Sequence, residues 1–328
     1  MDVPEASTVR VRIAPSPTGF AHLGTASTAL YNVIFARQHD GTFALRVDDT
    51  DVERNRPEYE LLIYESLRWL GLDWDEGPDK GGPYAPYRQS ERLDLYKEQA
   101  AKLLTDGKAY RCYCTPEELE AERRQAQAEK RPYKYSRRCL IDPPKDRTEF
   151  AVRFKVPGGK VHFTDMIRGA MTFDADLIGD FIIVKSDGFP TYNFASPVDD
   201  AAMKITNVIR GEEHLSNTPY QLMIVDALGF ERPTAYAHMP LILAKDGTKL
   251  SKRKHPETNL WQIWMMVDGP CTFIAAYRDP VKAQSSLEAI SSASRKGEAH
   301  AKIAALYRQV QADGEPKQLL YEMMLYLI

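Results

Sequence analysis

Apolar residues alternate with polar ones at Val9, Val11 and Ile13, a period-two pattern that predicts a half-buried β-strand. The spacing then changes: Ala26, Leu30, Val33 and Ile34 recur at helical intervals, so a helix is expected after the loop that runs from Pro15 to Gly24. Phe43, Leu45 and Val47 restore the strand period, and Ile63, Leu67 and Leu70 mark one face of a helix entered at Pro57. Strands and helices in alternation over residues 1–100 predict the first half of a Rossmann-like α/β domain with a parallel sheet.

From 101 to 190 the pattern shortens. Phe150, Val152, Phe154 and Val156 alternate with polar or small residues, and Pro157-Gly158-Gly159 predicts a turn that pairs this strand with one through Val161 and Phe163. An inserted α+β domain is expected over 101–190, after which 191–255 completes the sheet begun at Val9. In 256–328, Ile303, Leu306, Tyr307 and Val310 fit a helix, which predicts a short helical C-terminal region. The apolar stretch from Leu319 to Ile328 needs a partner, an internal groove or further chain to cover it.

The 328 residues suit two or three domains, and 43% hydrophobic with 27% charged residues is the composition of a soluble globular protein. Met1 to Glu5 has neither a basic nor an apolar leader region, and no apolar run approaches the roughly 18 residues of a membrane span. The expectation is a cytoplasmic protein with no membrane association. A net charge of −3 carries no global signal for nucleic acid, so any RNA contact must be local. Arg123, Arg124, Lys130, Arg131, Lys134, Arg137 and Arg138, with Tyr133 and Tyr135 interleaved, form a run suited to phosphates and exposed bases. A solvated helix face has the same composition.

Three groups of residues carry chemistry. His22-Leu23-Gly24-Thr25 falls at a strand-to-helix turn, where backbone N–H groups and the helix dipole favour a phosphate and His22 is placed to donate to it. Far downstream, Lys249-Leu250-Ser251-Lys252-Arg253 follows Gly247; by itself such a cluster is ordinary solvated surface, and the first segment is ordinary loop punctuation. Of the four cysteines, Cys112 and Cys114 are spaced Cys-x-Cys and Cys139 follows later. In a reduced compartment they offer three thiolates to a tetrahedral Zn2+, leaving a fourth position for nitrogen, oxygen or water.

Taken together, the His22 and Lys249 segments resemble the paired signatures of class I aminoacyl-tRNA synthetases. The segments Arg46 to Asp51, Leu67 to Trp74, Pro190 to Ala195 and Ile209 to Pro219 look like those of the glutamyl branch, in the same order, so that the resemblance covers about residues 9–255. It implies a class I synthetase catalytic domain with an inserted acceptor-end-binding domain, ATP and Mg2+ as reactants, L-glutamate as amino acid and tRNA, most simply tRNA(Glu), as acceptor. It implies catalytic roles for His22, Lys249 and Lys252. ATP would be held by His22, Gly24, Thr25, Glu213, His214, Leu243, Lys249, Ser251 and Lys252, and glutamate by Arg12, Ala14, Ser16, Asp48, Tyr192, Ser196 and Arg210. Two guanidiniums suit a substrate with two carboxylates. Some members hold zinc with Cys-x-Cys and Tyr-x-x-x-Cys, which implies Cys112, Cys114, Tyr135 and Cys139 here.

Two pocket positions depart from the family: Asp48 stands where Glu is usual, and Ser196 where Asn is usual. Beyond Pro256 no counterpart of the family's stem-contact and anticodon-binding parts is recognised. The alternatives are an adenylate-forming enzyme with another acceptor, such as the shortened glutamyl-queuosine tRNA(Asp) synthetases, and a catalytically silent RNA-binding paralogue.

Overall fold

The computed structural model describes residues 9–19, 21, 23–51 and 53–241. The expectations for the C-terminal helix and the apolar tail lie outside these residues.

Strand β1 (Arg10–Ile13) leads to the 16-residue helix α1 (Leu23–Gln38), which returns the chain to β2 (Thr42–Leu45). The two strands are parallel, Val11 facing Phe43 and Ile13 facing Leu45. Helix α2 (Pro57–Trp69) starts on its proline, whose missing N–H costs nothing in a first turn, and buries Ile63 and Leu67. These elements share one core with Trp74.

Helix α3 (Leu93–Thr105) precedes β3 (Ala109–Cys112), helix α4 (Pro116–Ala128) and the short α5 (Arg138–Ile141). Strand β4 (Ala151–Phe154) lies between β3 and β7 (Phe181–Val184), antiparallel to both. Strands β5 (Lys160–Asp165) and β6 (Gly169–Asp174) form the hairpin. The expectation that the Pro157-Gly158-Gly159 turn pairs the Val152 strand with the Val161 strand is therefore corrected. Both glycines adopt positive φ, 80° each, and turn the chain, but the strand after the turn pairs with β6 and β9 in another sheet. Val161 still packs into the same core as Val152 and Phe154, so the two strands share a core without sharing a ladder.

Helix α6 (Tyr192–Ala202) is followed by β8 (Asn207–Gly211), helix α7 (Thr218–Leu228) and β9 (Ala235–Met239). Strand β9 runs parallel to β8 on one side and to β5 on the other. Strand β1 packs beside β8 and is tied to its lead-in, where the Thr206 N–H donates to the Arg10 carbonyl at 2.9 Å. The C-terminal ends of β1, β2 and β8 thus open on the same side as the start of α1. In parallel α/β sheets that side is where ligands sit.

Candidate active site

A cleft of about 930 Å³ occupies that side, lined by Arg12, Ala14, Ser16, Gly24, Thr25, Asp48, Tyr192, Ser196, Arg210, Glu213 and His214. All the described residues that sequence analysis assigned to glutamate and ATP meet here. His22, Leu243, Lys249, Ser251 and Lys252 lie outside the described residues.

The floor is a charged network of largely buried side chains, of which Arg12 and Asp48 keep an edge on the cleft. Arg46, fully buried, donates to Asp48 Oδ1 at 2.7 Å and Oδ2 at 3.2 Å, to Asp200 at 2.7 Å and, more weakly, to the Ser196 hydroxyl at 3.4 Å. Arg12 lays Nε and Nη2 on the same Asp200 at 2.9 and 3.0 Å. Behind them, Asp199 accepts from Arg92 at 2.7 Å, Gln89 at 2.8 Å and the Tyr96 hydroxyl, with Arg46 at 3.7 Å. Arg12, Arg46 and Arg92 are matched by Asp48, Asp199 and Asp200, so the buried charges cancel in direct contact; a buried ion survives only when paired in this way.

The network changes the acids differently. Burial pushes Asp48 up to about 6, against the pull of Arg46. Burial opposes the Asp200 carboxylate too, but two guanidiniums outweigh it and hold that group below its ordinary range.

Arg210, at the end of β8, has a different environment. It donates to the Tyr192 hydroxyl at 3.2 Å, the Gln221 carbonyl at 2.8 Å, the Thr218 hydroxyl at 2.8 Å and His238 Nε2 at 3.2 Å. All four partners are neutral side chains, for burial pushes His238 down to about 4 despite the neighbouring Asp165. Burial and the Arg210 charge likewise push His214 down to about 4, and its ring lies 5.2 Å from that of Tyr192. Gly24 and Thr25 sit in the first turn of α1, across the cleft from the Glu212–Asn217 turn that carries Glu213 and His214.

Sequence reasoning missed Arg46, Asp199, Asp200, Thr218, Gln221 and His238. A signal was available for one of them: Arg46 stands two residues before Asp48, just past the end of β2, and charges there beside an apolar run require partners. The adjacent acids Asp199 and Asp200 within α6 are those partners.

A second cluster lies at the end of β3. The sulfurs of Cys112, Cys114 and Cys139 are all within 4.8 Å of one another, and the Tyr135 hydroxyl lies 3.2 Å from Cys114 and 3.6 Å from Cys112. Three thiolates around a tetrahedral Zn2+ stand about 3.8 Å apart, given Zn–S bonds of about 2.3 Å, so the donor set fits. Burial opposes the Cys112 thiolate but Arg153 outweighs it and lowers that thiol, whereas burial pushes Cys114 up to about 11. In the basic run, Arg123 and Arg124 pair with Glu120, Arg131 with Glu129, Arg137 with Asp180 and Arg138 with Glu118. Much of its charge is thus spent within the fold. Among the described residues no helix is long and apolar enough to cross a membrane.

Comparison with known proteins follows the same lines. The family model described as "tRNA synthetases class I (E and Q), catalytic domain" matches residues 8–274. The chain is 55% identical over 251 residues to a glutamate--tRNA ligase from Sulfurihydrogenibium sp., across 74% of this chain and 52% of that protein. It is 56% identical over 253 residues to one from Moorella thermoacetica, across 75% and 51%. A crystal structure of a glutamate tRNA ligase from Elizabethkingia meningosepticum, in complex with its amino acid, superimposes with a TM-score of 0.71 at 42% identity, across 76% of this chain and 53% of that one. The chain spans about half the length of the curated relatives it matches.

Proposed function

The chain belongs to the class I tRNA synthetases for glutamate and glutamine, and from that premise we propose that its cleft activates L-glutamate with ATP and passes the glutamyl group to the 3′ end of tRNA(Glu). The observation that carries the reading is the distribution of charge. Arg12, Arg46 and Arg92 each face an aspartate, whereas the hydrogen-bond partners of Arg210 among the described residues are all neutral side chains. Arg210 is therefore the cation assigned to the side-chain carboxylate of the substrate, and Arg12, which pairs with Asp200 through Nε and Nη2, is assigned to the α-carboxylate through Nη1. Asp48 lies in the same cleft as the carboxylate for the ammonium group. Ala14, Ser16, Tyr192 and Ser196 shape the remainder of the amino acid pocket.

In this reading Gly24 and Thr25 bring the start of α1 to the phosphates of ATP, and Glu213 and His214 border the adenosine side. His22, Leu243, Lys249, Ser251 and Lys252 complete the nucleotide site. A glutamate carboxylate oxygen attacks the α-phosphorus, the bond to pyrophosphate breaks, and the positive end of the helix and the lysines meet the charge that departs. Mg2+ bound to ATP would supply neutralisation of the phosphate charge. A terminal ribose hydroxyl of the tRNA then attacks the activated carbonyl, and AMP leaves. Cys112, Cys114, Tyr135 and Cys139 would hold one Zn2+ with a structural role.

Glutamate-dependent ATP–pyrophosphate exchange with and without tRNA(Glu) tests the proposal. Exchange that requires tRNA(Glu) is the expected result. Exchange in its absence transfers the reading to an adenylate-forming enzyme with another acceptor, and no exchange under either condition contradicts both.

A further inference from the structure

We propose that Asp165 and His238 are positioning residues for Arg210, forming a carboxylate–imidazole–guanidinium relay that aims its fork into the amino acid pocket. The inference rests on the reading of the cleft as a glutamate site. Arg210 and His238 are directly paired across the parallel strands β8 and β9, so their side chains leave the sheet on one face. Asp165 ends β5, the strand on the other side of β9. None of this is exposed: the side chains of Asp165 and His238 are both 0% accessible.

Hydrogen bonding fixes the tautomer. Asp165 Oδ2 lies 2.6 Å from His238 Nδ1 and also accepts the His238 backbone N–H at 3.2 Å. Its other oxygen accepts the N–H groups of Ile167 and Arg168, each at 2.9 Å, which pins the carboxylate to the β5–β6 turn. A guanidinium can only donate, so the Arg210 Nε–H at 3.2 Å requires a lone pair on His238 Nε2. The ring proton therefore resides on Nδ1, facing Asp165, and the Thr218 hydroxyl at 3.0 Å is placed to donate to Nε2 as well. Asp165 makes Nε2 a stronger acceptor by drawing on the Nδ1 proton. It faces Arg210 only through the ring, so it orients the cation without cancelling its charge at contact distance.

The test uses the full chain and direct titration with L-glutamate and, separately, ATP. His238→Leu keeps the bulk of the ring and removes the acceptor, whereas the Gln carbonyl in His238→Gln reaches toward the position of Nε2. Losing one hydrogen bond to a charged group predicts about a tenfold rise in the glutamate Kd for His238→Leu, with ATP binding within about twofold of wild type and recovery of most of the loss in His238→Gln. Unchanged glutamate binding in His238→Leu, or an equal loss in both variants, overturns the inference and assigns the loss to packing. Wild-type protein that binds no glutamate overturns the functional reading as well. Nitrogen-15 NMR of His238 gives a readout that does not depend on the variants folding: Nδ1–H with an unprotonated Nε2 at neutral pH is expected, and a proton on Nε2 contradicts the relay.

Discussion

Arg46 holds the floor of the cleft together, since its guanidinium touches Asp48 and Asp200, both buried, and approaches Asp199. Arg46→Leu leaves Asp48 buried without its directly paired cation and takes one of two from Asp200, and the expected loss of stability is about 3–5 kcal/mol in denaturant unfolding; a loss below 1 kcal/mol, roughly the value of a surface pair, contradicts the account of a buried network. The same contacts revise the meaning of Asp48. The family resemblance implies a glutamate ligand at Asp48, one methylene shorter than the usual Glu, but both Asp48 oxygens also engage Arg46. Its position up at about 6 has a definite sign. The empty folded protein holds this proton more tightly than the unfolded chain does, so Asp48 by itself adds stability as pH falls from about 6 toward 4. An ammonium ligand needs the ionised form, so glutamate affinity should weaken by up to about tenfold per pH unit below 6. Titrations across pH 5 to 7.5 with wild type and Asp48→Asn check this; a wild-type affinity flat across the range removes Asp48 from ammonium recognition.

At the level of elements, α6 contributes most to the site, because Tyr192, Ser196, Asp199 and Asp200 follow helical spacing and share its inner face. That segment was legible in sequence as part of the cleft, while its two aspartates were not, since their partners Arg12, Arg46 and Arg92 come from distant parts of the chain. Local signals failed for a related reason at Gly158 and Gly159: a turn signal names a bend, not the strand that will lie alongside. The cysteine cluster is the opposite case, a short spacing that folds to short distances. If it holds Zn2+, freshly purified protein carries about one equivalent of metal, and chelation or Cys139→Ser lowers the thermal midpoint. Metal below half an equivalent in unchelated protein counts against the site. Helix α4 next to it is fixed by a capping box, Thr115 accepting from the Glu118 N–H while Glu118 accepts from the Thr115 N–H. Thr115→Ala is expected to cost about 1 kcal/mol, measured by the same unfolding curves.

Across the whole molecule, the alternation of strand and helix was legible because each period is local, and the parallel pairs β1–β2 and β8–β9 follow from it. The packing of β1 beside β8, which brings Arg12 and Arg210 to one cleft, joins residues nearly two hundred positions apart, as the 196-residue separation of Arg10 and Thr206 shows. The expectation that 191–255 completes the sheet begun at Val9 joined those halves in advance, while no local pattern named β8 as the strand beside β1. The central claim is that the cleft reads a dicarboxylic amino acid through Arg210, which among the described residues has no carboxylate in contact. Calorimetric titration of the full chain with L-glutamate and L-glutamine, repeated on Arg210→Met, tests it most directly. The account requires glutamate to bind at least about tenfold more tightly than glutamine, and Arg210→Met to erase that difference, because a charge-assisted pair is worth roughly 1.5–3 kcal/mol. Equal binding of the two amino acids by the wild-type protein, or a preference that survives in Arg210→Met, would contradict it.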